Sequence, residues 1–166
     1  MAGVSRGRPS NRCKVYNSTA QSIPDQTFTA LTFSSEVYDT GLHSTSSNTS
    51  RITITQAGTY VFTAQLQYDA VAAGSFTLAG IYKNGTPGTS GFPLCIDRQA
   101  PTTFQPHTLA VVDSVAVGDY VQVFVYHDRG SSVSLKAPTL TITNGVVSAS
   151  SETAFLPAMF SAEQLS

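Results

Sequence analysis

The chain has 166 residues, of which 41% are hydrophobic and only 11% charged, with a formal net charge of −1 at pH 7. That length suits one domain with a real core, and the near-neutral balance offers no basic footprint for nucleic acid or an anionic membrane. A charged share far below the usual ~25% leaves Thr, Ser, Gln and Asn to carry the polarity, which suits strands whose outer faces another protein can cover without stranding charge.

Residues 1–12 form a basic N-terminal arm rich in Gly, Pro, Ser and Arg. Arg6, Arg8, Arg12 and the following Lys14 have no acid among them. Two readings stand side by side: a solvated tail, or an arm that docks on an acidic partner surface. The arm has no apolar h-region of a secretory signal, and no run approaches the ~20 apolar residues of a membrane-spanning helix. The expectation is a protein that stays in the cell that makes it, or leaves by lysis or as part of a particle.

Residues 13–147 read as strand after strand separated by turn chemistry, the pattern of a sandwich or barrel. Residues 51–55 alternate with Ile52 and Ile54 inward. After the corner Gln56-Ala57-Gly58, residues 59–68 set Tyr60, Phe62, Ala64, Leu66 and Tyr68 on one face. This period of two is the mark of a half-buried strand. Residues 75–83 alternate again and end in Asn84-Gly85, a dipeptide suited to positive φ. Residues 86–93 read as a surface loop and 107–114 as a further strand with Leu109 and Val111 on one face. Val117-Gly118-Asp119 then turns the chain into 120–127.

That last strand is apolar on both faces. Val121, Val123 and Val125 share one side; Tyr120, Phe124 and Tyr126, with Gln122, share the other. The aromatic side needs a cover, either a second layer of the same chain or another subunit. Exposed aromatic patches usually mark interfaces, so the subunit is the favoured cover and Tyr120, Gln122, Phe124 and Tyr126 are the candidate interface residues. Residues 140–143 make a final strand, closed by Asn144-Gly145. Residues 148–166 read as a C-terminal tail with an apolar segment that includes Phe155, Leu156, Met159 and Phe160. It either folds back on its own domain or plugs a groove on a neighbour.

No phosphate loop, HExxH, CxxC or GxSxG appears, so no catalytic group, metal site or cofactor is expected. His127 and Asp128 are sequence neighbours on a strand and point to opposite faces, which prevents direct pairing. The acids Asp25, Asp39, Asp69, Asp97, Asp119 and Asp128 fall in turns without the spacing of a calcium loop, and read as turn formers. Cys13 and Cys95 have neither metal-ligand spacing nor the density of a disulfide scaffold. Buried free thiols are the simplest account of them.

Several phrases nonetheless occur in a telling order: Phe33, Tyr38-Asp39-Thr40, Asn48, Arg51-Ile52-Thr53-Ile54, Ala57-Gly58-Thr59-Tyr60-Val61-Phe62-Thr63-Ala64, Tyr82-Lys83-Asn84-Gly85 and Val117-Gly118-Asp119-Tyr120-Val121. This order resembles the globular head of complement one-q and its tumour-necrosis-factor-like relatives, over residues 13–145. The resemblance implies an all-β, ten-stranded antiparallel jelly-roll sandwich that assembles as a trimer, with the aromatic face of 120–127 near the trimer axis. The chain departs from animal members in having no secretory signal and no Gly-X-Y repeat. It looks like the stand-alone versions found in tailed bacteriophages.

The expected function is therefore structural and non-enzymatic. The expected protein is a homotrimeric capsid decoration (cement) protein on the virion surface, assembled in the host cytoplasm. Its partners would be itself and a major capsid or other virion protein. Arg6, Arg8, Arg12, Phe155, Leu156, Met159 and Phe160 are the candidate docking residues. The alternative is a receptor-binding module at a tail tip or fibre that binds a host surface glycan or protein through loops 40–50 and 86–99.

Overall fold

The computed structural model describes residues 11–68, 76–100, 106–135 and 157–165, together with the backbone of 141–143 and 146–148. In chain order the strands are β1 (Arg12–Tyr16), β2 (Gln21–Ile23), β3 (Thr29–Ala30), β4 (Ser35–Asp39), β5 (Arg51–Thr53), β6 (Gly58–Gln67) and β7 (Thr77–Lys83). They continue with β8 (Phe92–Gln99), β9 (Pro106–Val115), β10 (Tyr120–His127), β11 (Val133–Leu135), β12 (Thr141–Thr143), β13 (Val146–Ser148) and β14 (Met159–Gln164). No helix occurs among the described residues.

Two five-stranded antiparallel sheets carry the fold. One runs β4-β1-β14-β6-β9. The other runs β3-β10-β7-β8, and β5 joins it by pairing with the opposite end of β10 from β3. β11 pairs with β2, and β12 with β13. The ten-stranded all-β sandwich expected from the sequence is what the two main sheets build.

The alternation of β6 explains why it is central. Tyr60, Phe62, Ala64 and Leu66 are buried and meet Val123, Val125 and Ile81 from the facing sheet in one core. Burying each such large apolar side chain contributes roughly 1.5–3 kcal/mol. The turns follow their residue chemistry. Gly118 takes φ +89°, and the Asp119 carboxylate accepts the Ala116 N–H at 2.9 Å while the Asp119 N–H donates to the Ala116 carbonyl. Asn84 takes φ +57° ahead of Gly85. Its side-chain amide donates to Asp119 at 2.7 Å, tying the two turns together.

Two expectations are corrected here. Residues 159–164, assigned to a tail, are strand β14 in the middle of a sheet between β1 and β6. Phe160 is 0% exposed, with its ring 5.8 Å from that of Phe33. The segment alternates Phe160 and Ala162 inward against Ser161 and Glu163. Ala162 is too small to announce an inward position, so the period of two was hidden. Residues 92–93, assigned to a loop, begin strand β8. Pro93 and a register shift opposite Ile81 and Tyr82 interrupt its pattern, and edge strands tolerate both.

Candidate functional site

The outer face of β10 was the sequence's candidate interface, and the chain covers most of it by itself. Tyr126 lies between Phe28 (ring centroids 5.0 Å) and Phe76 (5.4 Å, stacked). Phe124 meets the Tyr82 ring edge-on at 5.7 Å. The guanidinium of Arg51 sits 4.8 Å above Tyr120, and that of Arg98 sits 4.1 Å above Phe76. Gln122 donates to the Ser50 hydroxyl at 3.0 Å. Gly80 makes this possible: a Cβ there would stand 2.6 Å from the Tyr82 ring. Phe124 is 4% exposed in the single chain and has almost no surface left to offer a partner. For Phe124 the cover is the chain itself, the other of the two covers that the sequence left open. Tyr120, Gln122 and Tyr126 are only half-buried.

The docking residues divide in three. Arg6, Arg8, Phe155 and Leu156 lie outside the described residues. Phe160 belongs to the core, so it cannot dock on a neighbour. Arg12 and Met159 are half-buried on the outer face of the β1–β14 sheet. Arg12 is held in place there: its guanidinium lies 4.9 Å from the Tyr38 ring, and its backbone N–H donates to the Thr40 hydroxyl.

A different surface stands bare. Along β6 the outward residues are Thr59, Val61, Thr63, Gln65 and Gln67; opposite them on β9 are Ser114, Val112, Ala110, Thr108 and Pro106. None carries a charge. The β9 row is exposed throughout, with Val112 at 57%. Charge returns on the next strands of the sheet: Glu163 of β14 stands opposite Val61 of β6, and beyond it Arg12 of β1 stands opposite Glu163 and Lys14 opposite Ser161. The alternation of 59–68 already sets Thr59, Val61, Thr63, Gln65 and Gln67 on this face, and the low charge of the chain already suits coverable strand faces. What the sequence does not show is that β9 lies beside this row and extends it with Ser114, Val112, Ala110, Thr108 and Pro106.

All three histidines are buried against acids. Nδ1 of His107 contacts Asp97 at 2.7 Å, and its Nε2 contacts the Thr77 hydroxyl at 3.0 Å. Burial holds its pKa below the ordinary histidine value, against the opposing hydrogen bond and charge of Asp97. The order Thr–His–Asp has the connectivity of a nucleophile, base and orienting acid. Thr77 is wholly buried, however, so its hydroxyl faces no substrate. The Tyr68 ring stands between His107 (5.7 Å) and His127 (6.1 Å), and its hydroxyl donates to the carbonyls of Leu78 and Tyr126. Nε2 of His127 donates to the Ile23 carbonyl, and its Nδ1 lies 3.6 Å from Asp25. Asp128 takes the N–H of Phe76 instead. Among the described residues no three acids, histidines or cysteines come together in a geometry that could hold a metal ion.

The turn acids act on backbone. Asp39 accepts the N–H groups of both Gly41 and Leu42 at 2.9 Å, and Asp25 accepts that of Gly130 at 2.7 Å. Both cysteines are free: Cys13 is buried and Cys95 half-buried.

The two stacked five-stranded sheets define an antiparallel jelly roll of the tumour-necrosis-factor-like class. Solved structures agree. The chain is similar to murine APRIL in a crystal structure at pH 5.0, with a TM-score of 0.62 at 11% identity, covering 93% of this chain and 98% of that one. It is also similar to the Eiger TNF of S. frugiperda, with a TM-score of 0.60 at 9% identity, covering 96% of this chain and 94% of that one. No family model matches the sequence, and no curated protein matches it. At these identities the likeness is one of fold.

Proposed function

We propose that this chain is a structural virion protein: a homotrimer that decorates and stabilises the capsid of a tailed bacteriophage, without enzymatic activity. The observation that carries the reading is the uncharged outer face of β6 and β9. A solvated strand face normally carries Lys and Glu for solubility. A face of Thr, Val, Ala, Gln and Pro is one that another protein covers, since small neutral groups lose little when water leaves. A second copy is the occupant that this chain always supplies. Self-association through β6 and β9 leaves the Arg12, Lys14 and Glu163 side of the sheet at the rim, where charge is tolerated. The sparse charge of the whole chain fits a protein largely hemmed in by neighbours.

Sedimentation of the purified chain tests the self-contact: a trimer is expected, and a monomer at micromolar concentration would refute it. Imaging of intact particles tests the placement. Hundreds of copies on the head would establish decoration, whereas a handful at the tail would overturn it in favour of a receptor-binding module.

A further inference from the structure

We propose that the hollow formed by residues 41–55 binds an acidic sugar, with the carboxylate on Arg51 and the sugar hydroxyls on Ser44, Ser47, Asn48 and Thr53. The hollow belongs to the single domain, so the inference does not depend on the trimer or on where a particle carries it.

The hollow has a volume of about 230 Å³ and opens to solvent beside the start of β5. That is below the roughly 300–1,000 Å³ of drug-sized pockets and suits a ligand about the size of one ring. Gly41, Ser44, Ser47, Asn48, Thr53 and Thr55 line it around Arg51. Hydroxyl and amide groups both donate and accept, which is what a polyol requires. The apolar residue of the wall, Leu42, is 2% exposed and turned to the core.

Arg51 is the unusual member. Its guanidinium carbon sits 4.8 Å from the centre of the Tyr120 ring, and its N–H donors lie in the guanidinium plane. Its Nε is buried and donates to no described protein atom; among the described residues it is the one buried side-chain nitrogen or oxygen in that state. Buried donors without an acceptor are rare in native proteins and call for an explanation. A carboxylate is the group that meets a guanidinium with two parallel bonds. Among the described residues Arg51 makes no ion pair with an acid: Asp39 accepts the amides of Gly41 and Leu42, and Oε1 of Glu36 contacts Nδ1 of His43.

The same loop argues against a phosphate. Phosphate sites gather several free backbone N–H groups around the anion. Here the amides of Gly41 and Leu42 serve Asp39, those of Ser46 and Ser47 serve the Ser44 hydroxyl, and that of Arg51 serves the Asn48 carbonyl. One guanidinium remains, suited to one negative charge. The walls are also preformed. Nε2 of His43 bonds the Thr49 carbonyl, the Phe33 N–H donates to that same carbonyl, and the Thr53 N–H donates to the Leu42 carbonyl. A preordered site loses little entropy on binding.

The test is an NMR titration of the isotopically labelled full chain with D-glucuronate, N-acetylneuraminate, D-glucose, acetate and inorganic phosphate. At least one acidic sugar is expected to shift the amides of 41–55 saturably. Glucose, acetate and phosphate are expected to bind about tenfold more weakly or less, the loss of one charged hydrogen bond or of the hydroxyl contacts. Arg51→Gln should abolish the response. Ser47→Tyr should abolish it too, by filling the hollow from an exposed position without touching a strand. Silence of 41–55 toward both acidic sugars would overturn the proposal. So would equal binding of glucose or phosphate, or unchanged binding by a folded Ser47→Tyr protein.

Discussion

The outer faces of the two sheets solve the same problem in opposite ways. On β10 and β7 the outward residues are large rings, and they bury one another: Phe76 and Phe28 close on Tyr126, and Tyr82 closes on Phe124. On β6 and β9 the outward residues are small and neutral, and they leave the sheet open. A hydrophobic pattern points to the first face as the one in need of a partner. The geometry points to the second. Rings reach across ~5–7 Å to stack or meet edge to face; Thr63 and Ala110 cannot. What remains exposed after folding, rather than what is apolar in the sequence, decides where a partner has something to bury.

Substitutions on the two faces should therefore fail differently, and this gives the largest expected effects. Phe160→Ala, in the core beneath β14, and Phe124→Ala, within the ring cluster, should each destabilise the chain by about 3–5 kcal/mol in urea unfolding. Val112→Lys should leave the stability of the single chain within about 0.5 kcal/mol, as exposed substitutions usually do. Sedimentation should nonetheless show that it no longer self-associates. If Phe124→Ala yields a stable monomer and Val112→Lys an intact trimer, the roles of the two faces are reversed.

Legibility in the sequence follows the same division. Where one face is buried and one wet, as on β6, alternation shows the strand plainly. The turns at Asn84-Gly85 and Val117-Gly118-Asp119 were equally readable, because positive φ limits the residues that fit. β14 was obscured by Ala162 and β8 by Pro93, since both break the apolar rhythm while keeping the strand. The covering of Phe124 was not readable at all. It depends on Gly80 and Tyr82 lying opposite in a neighbouring strand, and on Phe28 and Phe76 arriving from elsewhere in the chain. The Arg51 hollow is likewise a product of loop closure, although residues 40–50 stand in the sequence reading as a binding loop of the alternative, receptor-binding module.

A smaller effect concerns the inner side of β9. His107 faces Asp97 and Gln99 of β8, Thr77 of β7 and the ring of Tyr68, and the Gln99 side chain shares the same Asp97 oxygen. Burial keeps its pKa below that of an unfolded histidine. As pH falls through the unfolded value, about 6.5, the unfolded chain takes up the proton first. The stability His107 provides is thus complete above that pH and declines as the pH drops toward the folded value. Urea midpoints should fall between pH 7.5 and pH 5, and His107→Gln should flatten that slope. An unchanged slope in the variant would assign the acid sensitivity elsewhere.

The smallest effect uses the cysteines as reporters, Cys13 on β1 of one sheet and Cys95 on β8 of the other. Burial, then the nearby charge of Asp39, pushes the Cys13 thiol up to about 12, so it stays protonated and unreactive near neutrality. Cys95 is half-buried on edge strand β8 and partly open to a reagent. Alkylation of the native chain at pH 8 should therefore modify Cys95 alone, and Cys13 only after unfolding. Because β14 lies directly against β1, pairing Ala162 with Cys13, loosening β14 should expose Cys13. Phe160→Ala should speed its labelling, while Val112→Lys, on the open face of the same sheet, should not. Equal rates in the two variants would mean that β14 is not the cover over Cys13, and would reopen the reading of this segment as a strand fixed in its own domain.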